Sequence, residues 1–192
     1  MKKTLQALAA TALISASLPM VVHANEMGIN VQLANDSAKF GFFSSDLWMQ
    51  ETYRFDLSYQ YNNDKDYVID TSFSYVGKGV LDPNLDLGVK GKFAYAKAKD
   101  IDKLGTGILL GVHAAYWLPT ATPTNVTVEY LIAPEILAFS DAEKLNELSI
   151  RANVRLLRNL QGFVGYRHFE VEYKEAKVKF DDGAHIGFEL AF

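Results

Sequence analysis

The chain has 192 residues, 49% of them hydrophobic and 22% charged, with a formal net charge of −4 and no cysteine. That length suits one domain able to bury a sizeable core. The mixed, mildly acidic charge leaves no electrostatic footprint for nucleic acid. The missing cysteine excludes a disulfide frame, a thiolate zinc site and a cysteine nucleophile.

Lys2 and Lys3 give the N-terminus a positive start, Leu5 to Val22 carries no charge, and Val22-His23-Ala24 closes the stretch. This is the three-part layout of a secretory signal, with cleavage expected between Ala24 and Asn25. The short apolar stretch and the cleavage-like tripeptide argue against a retained anchor. With no cysteine after the cleavage site, a lipoprotein is excluded.

Beyond the signal nothing approaches the ~20 apolar residues of a spanning helix; the chain alternates instead. Residues 25–50 hold two short alternating pieces, 27–33 and 38–43, around Asn35-Asp36-Ser37. They read either as an extra hairpin or as a lead-in. In 51–61, Tyr53, Phe55, Leu57, Tyr59 and Tyr61 oppose Arg54, Asp56, Ser58 and Gln60. In 67–76, Tyr67, Ile69, Phe73 and Tyr75 oppose Val68, Asp70, Ser72 and Ser74. Runs over 85–97, 105–118, 125–138 (with Pro134 interrupting) and 147–157 repeat the pattern. In 160–173, Phe169, Val171 and Tyr173 read as out of phase with Val164, Tyr166 and His168, which predicts a bulge near His168. The last run, 184–192, alternates cleanly, and Asp141 to Leu148 reads as a loop rather than a helical turn.

Period-two alternation puts each set on one face of a sheet. The expectation is an all-β, closed antiparallel up-and-down transmembrane β-barrel of eight strands over 51–192, or ten with the extra hairpin; an even count is required. Both termini are expected on the periplasmic side, with turns at 62–66, 99–104, 139–146 and 174–183 outside the cell.

Three features decide which face is wet. The polar face carries Arg54, Asp56, Asp70, Lys90, Lys92, Glu129, Arg151, Arg155, Arg167 and Glu189, ions of both signs suited to pairing in a narrow lumen. Arg151 and Arg155 read as partners of Glu129 and Asp56, or as a small-anion site. Aromatics gather toward two rims: Tyr59, Tyr61, Tyr67, Tyr95, Phe169 and Tyr173 at one, and Tyr53, Tyr75, Tyr116, Trp117 and Phe192 at the other, as in interfacial girdles. The chain closes on His185, Gly187, Leu190 and Phe192 in an alternating strand. This looks like the C-terminal assembly signal of bacterial outer-membrane barrels, captured by strand addition. A soluble periplasmic barrel holding an apolar ligand is the alternative, and it requires the apolar face to point inward.

Gly165-Tyr166-Arg167, the hairpin opening at Arg151 to Asn159, the acidic Asn62 to Asp66 turn and the Gly-x-x-x-Ala-Phe close at 187–192 resemble the YfaZ family of small outer-membrane proteins. The resemblance implies an outer-membrane β-barrel and supplies no catalytic residues.

Chemistry is sparse. His113 reads as a hydrogen-bonded lumen residue and His185 as part of the closing strand. His168, with Glu170 and Glu172 nearby, is the one candidate base for a lipid-modifying enzyme, and no serine partner stands at a committing spacing. No metal-ligand spacing or phosphate-cradling loop is present, so no cofactor is expected. The expected partners are outer-membrane lipids, the barrel assembly machinery and periplasmic chaperones, with the protein itself a monomer in the cell outer membrane. The expected function is structural or small-solute-interacting, without catalysis.

Overall fold

A computed structural model describes residues 26–48 and 51–192; the signal expected over 1–24 lies outside them. Eleven strands follow in chain order: β1 Glu26–Ala34, β2 Ser37–Trp48, β3 Glu51–Asn62, β4 Tyr67–Gly77, β5 Leu85–Ala98, β6 Lys103–Leu118, β7 Thr124–Ala133, β8 Ala138–Ser140, β9 Ala142–Leu157, β10 Leu160–Tyr173 and β11 Lys177–Ala191. Every pairing is antiparallel. Each long strand bonds to its neighbour in sequence, β5 meets β6, and β1 meets β11 to close the barrel.

Ten long strands make the wall, so the count of eight is corrected to ten. The difference is the hairpin β1–β2, which pairs Gly28–Ala34 with His185–Ala191 on one side and Ala38–Trp48 with Glu51–Tyr61 on the other. Without it, β11 and β3 would each present an unpaired edge. β8 is a remnant of the seventh wall strand. Pro134 lacks the N–H that a central ladder requires. The chain therefore leaves the wall in one 3₁₀ turn, Glu135–Leu137, and re-pairs Ala138–Ser140 with Gly105–Gly107 of β6. The segment read as a loop from Asp141 is strand from Ala142 onward.

The predicted bulge exists, but on the partner strand. Register slips between Phe169 and Glu170 of β10 because Phe180 of β11 is skipped. Phe180 and Asp181 consequently both turn inward, and both are buried. Residues 160–173 themselves never break phase: Gly165, Arg167, Phe169, Val171 and Tyr173 share the inner face. Phe169 and Tyr173 are thus interior side chains and belong to no aromatic girdle. Trp117 also points inward, where its Nε1 donates to Asp86 at 2.7 Å. The remaining aromatics do form rims, with Tyr59, Tyr67 and Tyr95 stacked in sequence at centroid separations of 6.3 and 6.2 Å.

The wall has two opposite faces. Outward, Ile29, Phe40, Phe55, Leu57, Phe73, Val89, Leu110, Val112, Ile150, Val164 and Ile186 are exposed; inward, Gln60, Asp70, Lys92, Glu147, Asn153, Arg167 and Glu189 are buried. The apolar face points away from the lumen, opposite to what an interior apolar-ligand site would require. Turns at one end of the barrel (78–84, 119–123, 158–159) lie beside both described termini and define the terminal end. Those at 35–36, 63–66, 99–102, 134–141 and 174–176 define the far end.

Candidate functional site: a one-ended charged lumen

The far end of the lumen is plugged by carbon. Leu109, Leu131, Leu145, Phe169 and Val171 have no solvent-accessible surface and pack with Phe180 and Tyr173 into one cluster. Small residues on β5 and β6 make the room: Ala94, Ala96 and Ala98 line one side, and a Cβ on Gly107 would lie 2.7 Å from Leu145. Around this plug the outer face of β9–β11 turns polar, with Lys144, Glu170, Glu172, Lys177 and Lys179. Inside and outside therefore exchange polarity near the far rim. In the far-end turn, Asp102 adopts φ +49°, and its hydrogen bond from Lys97 holds its carboxyl below the usual range.

Below the plug lies a first ionic layer. Lys92 Nζ reaches Glu147 at 2.7 Å and Asp70 at 3.3 Å; Lys39 reaches Asp70 at 3.1 Å. Arg167 bonds Glu147 through Nε at 2.9 Å and Asp181 through Nη1 at 3.2 Å, and also donates to Gln60. Lys92 Nζ and the Arg167 guanidinium each sit 5.4 Å from the Phe169 ring, so the ionic layer meets the plug through cation–π contacts. The bulge at Phe180–Asp181 is where one strand feeds both layers.

A second layer lies nearer the terminal end. Arg54 grips Glu189 through two hydrogen bonds of 3.0 and 3.1 Å and also bonds Asp56 at 2.8 Å. Lys90 and His113 Nδ1 each reach Glu129 at 2.9 Å, and Arg151 stands 3.5 Å from Glu189. Each layer sets three Lys or Arg side chains against three carboxylates among the named residues. Compensation of this kind offsets the cost of taking the ions out of bulk water.

The expected partnership of Arg151 and Arg155 with Glu129 and Asp56 is corrected. Glu129 faces His113 in register across β6–β7 and Asp56 lies two residues from Arg54 on the same face, so both acids are taken by nearer groups. Arg155 stands exposed at the mouth, with no ion pair among the described residues. His185 turns inward and is buried, its ring 5.9 Å from Phe163, while Leu190 and Phe192 fall in the outward phase. Gly187 is where Phe163 passes: a Cβ there would lie 2.4 Å from the ring.

His168 bonds Asp182 at 3.1 Å, and Asp182 is shared with Lys179 at 2.6 Å and with the Tyr166 hydroxyl. This exposed cluster sits on the outer wall, away from the lumen. Lys39, Gln60, Glu147 and Asp181 are functional-layer residues that the sequence reading did not single out. Lys39 lies in the stretch left between lead-in and hairpin, and Glu147 and Asp181 lie beside or inside segments read as loops. Strand phase carried across those segments is the signal that finds them.

A cavity of about 320 Å³ runs from the terminal end, among Glu26, Thr52, Lys78, Asp86, Arg155 and Gln161, past side chains of the second ionic layer to Lys39, Lys92 and Arg167 of the first. Among the described residues the lumen is thus a cup, open at the terminal end and closed at the other. Among the described residues no group of three or more His, Asp or Glu is placed to hold a metal ion.

A family model described as YfaZ precursor matches residues 1–192. Among solved structures, the chain is similar to one described as "Bacterial polysaccharide outer membrane secretin" (TM-score 0.46, 8% identity), covering 86% of this chain and 63% of that one. It is also similar to a chain from work described as "Unveiling the Mechanism Behind the in-meso Crystallization of Membrane Proteins" (TM-score 0.38, 10% identity), with 87% of this chain and 83% of that one covered. No curated protein matches the chain.

Proposed function

The chain belongs to the YfaZ family, and from that premise we propose that it is an exported outer-membrane β-barrel whose lumen is a non-conducting cup facing the periplasm. The two-faced wall carries the proposal: an outward belt of exposed Ile, Leu, Val and Phe encloses buried Lys, Arg, Asp and Glu. In water such a wall would expose the wrong face. In a bilayer the belt meets hydrocarbon, the closed ladder leaves no backbone edge, and the Tyr rims reach the interfaces.

The one-ended lumen supports the finer reading. Ten strands leave only slightly more room than the eight whose interior side chains just fill, and here an apolar plug and the first charged layer occupy the far half. Solutes enter from the terminal side, which in this reading is the periplasm, and meet a polar dead end. The barrel works as a structural element and small-solute holder, without a catalytic centre. His113 is committed to Glu129, and His168 to Asp182 on the outer wall. The protein is a monomer among outer-membrane lipids. Periplasmic chaperones and the barrel assembly machinery deliver it through its C-terminal strand.

Heat-modifiability tests the reading. Outer-membrane fractions run on a denaturing gel should give a faster band before boiling than after it. A single unshifted band in the soluble periplasm would overturn the proposal.

A further inference from the structure

The two ionic layers satisfy their carboxylates well, and two buried side-chain donors are left without a partner. Arg167 is 3% exposed and makes three bonds through Nε and Nη1, yet its Nη2 has no partner in the protein. Gln32 is 6% exposed, and its Nε2 likewise has no partner. A buried donor without an acceptor is costly, and the lumen holds both of these.

Their closeness follows from the ladder. Gln32 of β1 pairs with Lys39 of β2, and Lys39 pairs with Gln60 of β3. Directly opposed side chains have Cβ atoms about 4.5–5.5 Å apart. Gln60 accepts from Arg167 Nη1 across the lumen, which brings the guanidinium to the same row. Lys39 spends one hydrogen-bond direction on Asp70 and has further donor capacity. Gln32, Lys39 and Arg167 all line the cavity of the cup.

Resting on the reading of the lumen as a cup, we propose that its inner end is a binding site for a small oxyanion, the phosphate or carboxylate group of a solute entering from the terminal end. Gln32 Nε2, Arg167 Nη2 and Lys39 Nζ are its donors. The planar guanidinium presents an N–H in a fixed direction, the amide adds a neutral donor, and the ammonium adds a mobile charge. Nearby carboxylates do not oppose the ligand strongly: Asp70 is held by Lys39 and Lys92, and Glu147 by Lys92 and Arg167. A cavity of about 320 Å³ holds such a group with room for a small organic remainder.

The test uses the full chain refolded in detergent micelles. Its readout is the temperature at which the faster gel band converts to the slower one. Inorganic phosphate should raise that temperature saturably above chloride at equal ionic strength; acetate in parallel tells a carboxylate site from a phosphate site. Gln32→Leu removes that partnerless donor and should need at least tenfold more anion for half the effect, whereas Arg155→Gln at the mouth should change nothing. Gln32→Glu supplies the anion covalently, and should raise the conversion temperature without added phosphate and abolish the response. No advantage of either anion over chloride, an unchanged response in Gln32→Leu, or a loss confined to Arg155→Gln would overturn the site while leaving the barrel reading intact. Absence of any heat-convertible band would overturn both.

Discussion

Arg54 and Glu189 stand 135 residues apart and share two hydrogen bonds of 3.0 and 3.1 Å across the lumen. The Arg54 guanidinium also lies 4.2 Å from the centroid of Phe43, whose ring fills the space a side chain at Gly28 would need. Arg151 mirrors this on the other side of Glu189: it lies 4.8 Å from the centroid of Phe163, whose ring covers Gly187. Two Gly–Phe–Arg stacks thus flank one carboxylate beside the β1–β11 seam. The closing strand is held by its side chains as well as by its ladder.

Glu189→Leu should therefore destabilise the folded barrel by about 1.5–3 kcal/mol, the range for a hydrogen bond to a charged group, because Arg54 and Asn30 lose their acceptor and Arg151 its ion-pair partner. Glu189→Gln keeps an acceptor and should cost less. The midpoint of urea unfolding in lipid vesicles measures both. Equal midpoints for Glu189→Leu and the wild type would show the seam is held by its ladder alone.

Gly187→Ala should be worse than its size suggests. The new Cβ would lie 2.2 Å from the Val31 carbonyl oxygen as well as against the Phe163 ring. A ring can turn aside, but the backbone of the paired strand cannot, so overpacking of about 1–3 kcal/mol is expected. Adding Phe163→Ala should recover only part of the loss in the yield of heat-modifiable protein.

The outer face is tested by Ile150→Arg. Ile150 is exposed on the belt, and a cation near the bilayer midplane costs about 2–4 kcal/mol. Ser149→Asn, one residue earlier on the inner face, should shift the urea midpoint much less. Asn153, by contrast, is a poor site for a mild inner-face change: its Nδ2 donates to Asn125 at 2.8 Å and to Thr127 at 3.0 Å. An aspartate there would lose both donors and bury a charge. Sequence alternation places Asn153 on the inner face but says nothing of that commitment.

The same contrast governs what was legible throughout. Period two needs no tertiary information, so Tyr53 to Tyr61 and Leu148 to Leu156 reveal their outward faces directly. Strand number was not legible, because β1 and β2 are Gly- and Ser-containing and alternate only in part; their strand character comes from closing the barrel. Phe169 and Tyr173 misled because an aromatic near a strand end fits a girdle and a plug equally well. Only the neighbouring strands decide, since Ala94, Ala96, Ala98, Gly105 and Gly107 leave the hole those rings fill. The charged face was readable as a face. Its pairing was not, because Arg54 with Glu189 and Lys92 with Glu147 depend on lumen geometry rather than spacing.

The plug yields a paired prediction on stability and conductance. Phe169 is wholly buried, so Phe169→Ala should cost about 3–5 kcal/mol. In planar bilayers neither protein should give conductance steps, because the ionic layer of Lys92, Glu147, Arg167 and Asp181 still crosses the lumen beneath the missing ring. Discrete ion-conducting steps from the wild type would show that the far end is open and the cup reading wrong.

Deleting Phe192 probes assembly rather than stability. Its backbone N–H donates to Met27 at 2.8 Å and its side chain is 75% exposed. The folded barrel therefore loses one edge hydrogen bond, worth about 0.5–1.5 kcal/mol, and little packing. An assembly machinery that captures the closing strand by strand addition, in contrast, loses the terminal aromatic of the outward row Ile186, Phe188 and Leu190. The truncated chain should refold in detergent with a near-normal conversion temperature and yet accumulate poorly in the outer membrane of cells. Matching losses in both assays would make Phe192 a structural residue only. Normal accumulation in cells would remove it from the assembly signal.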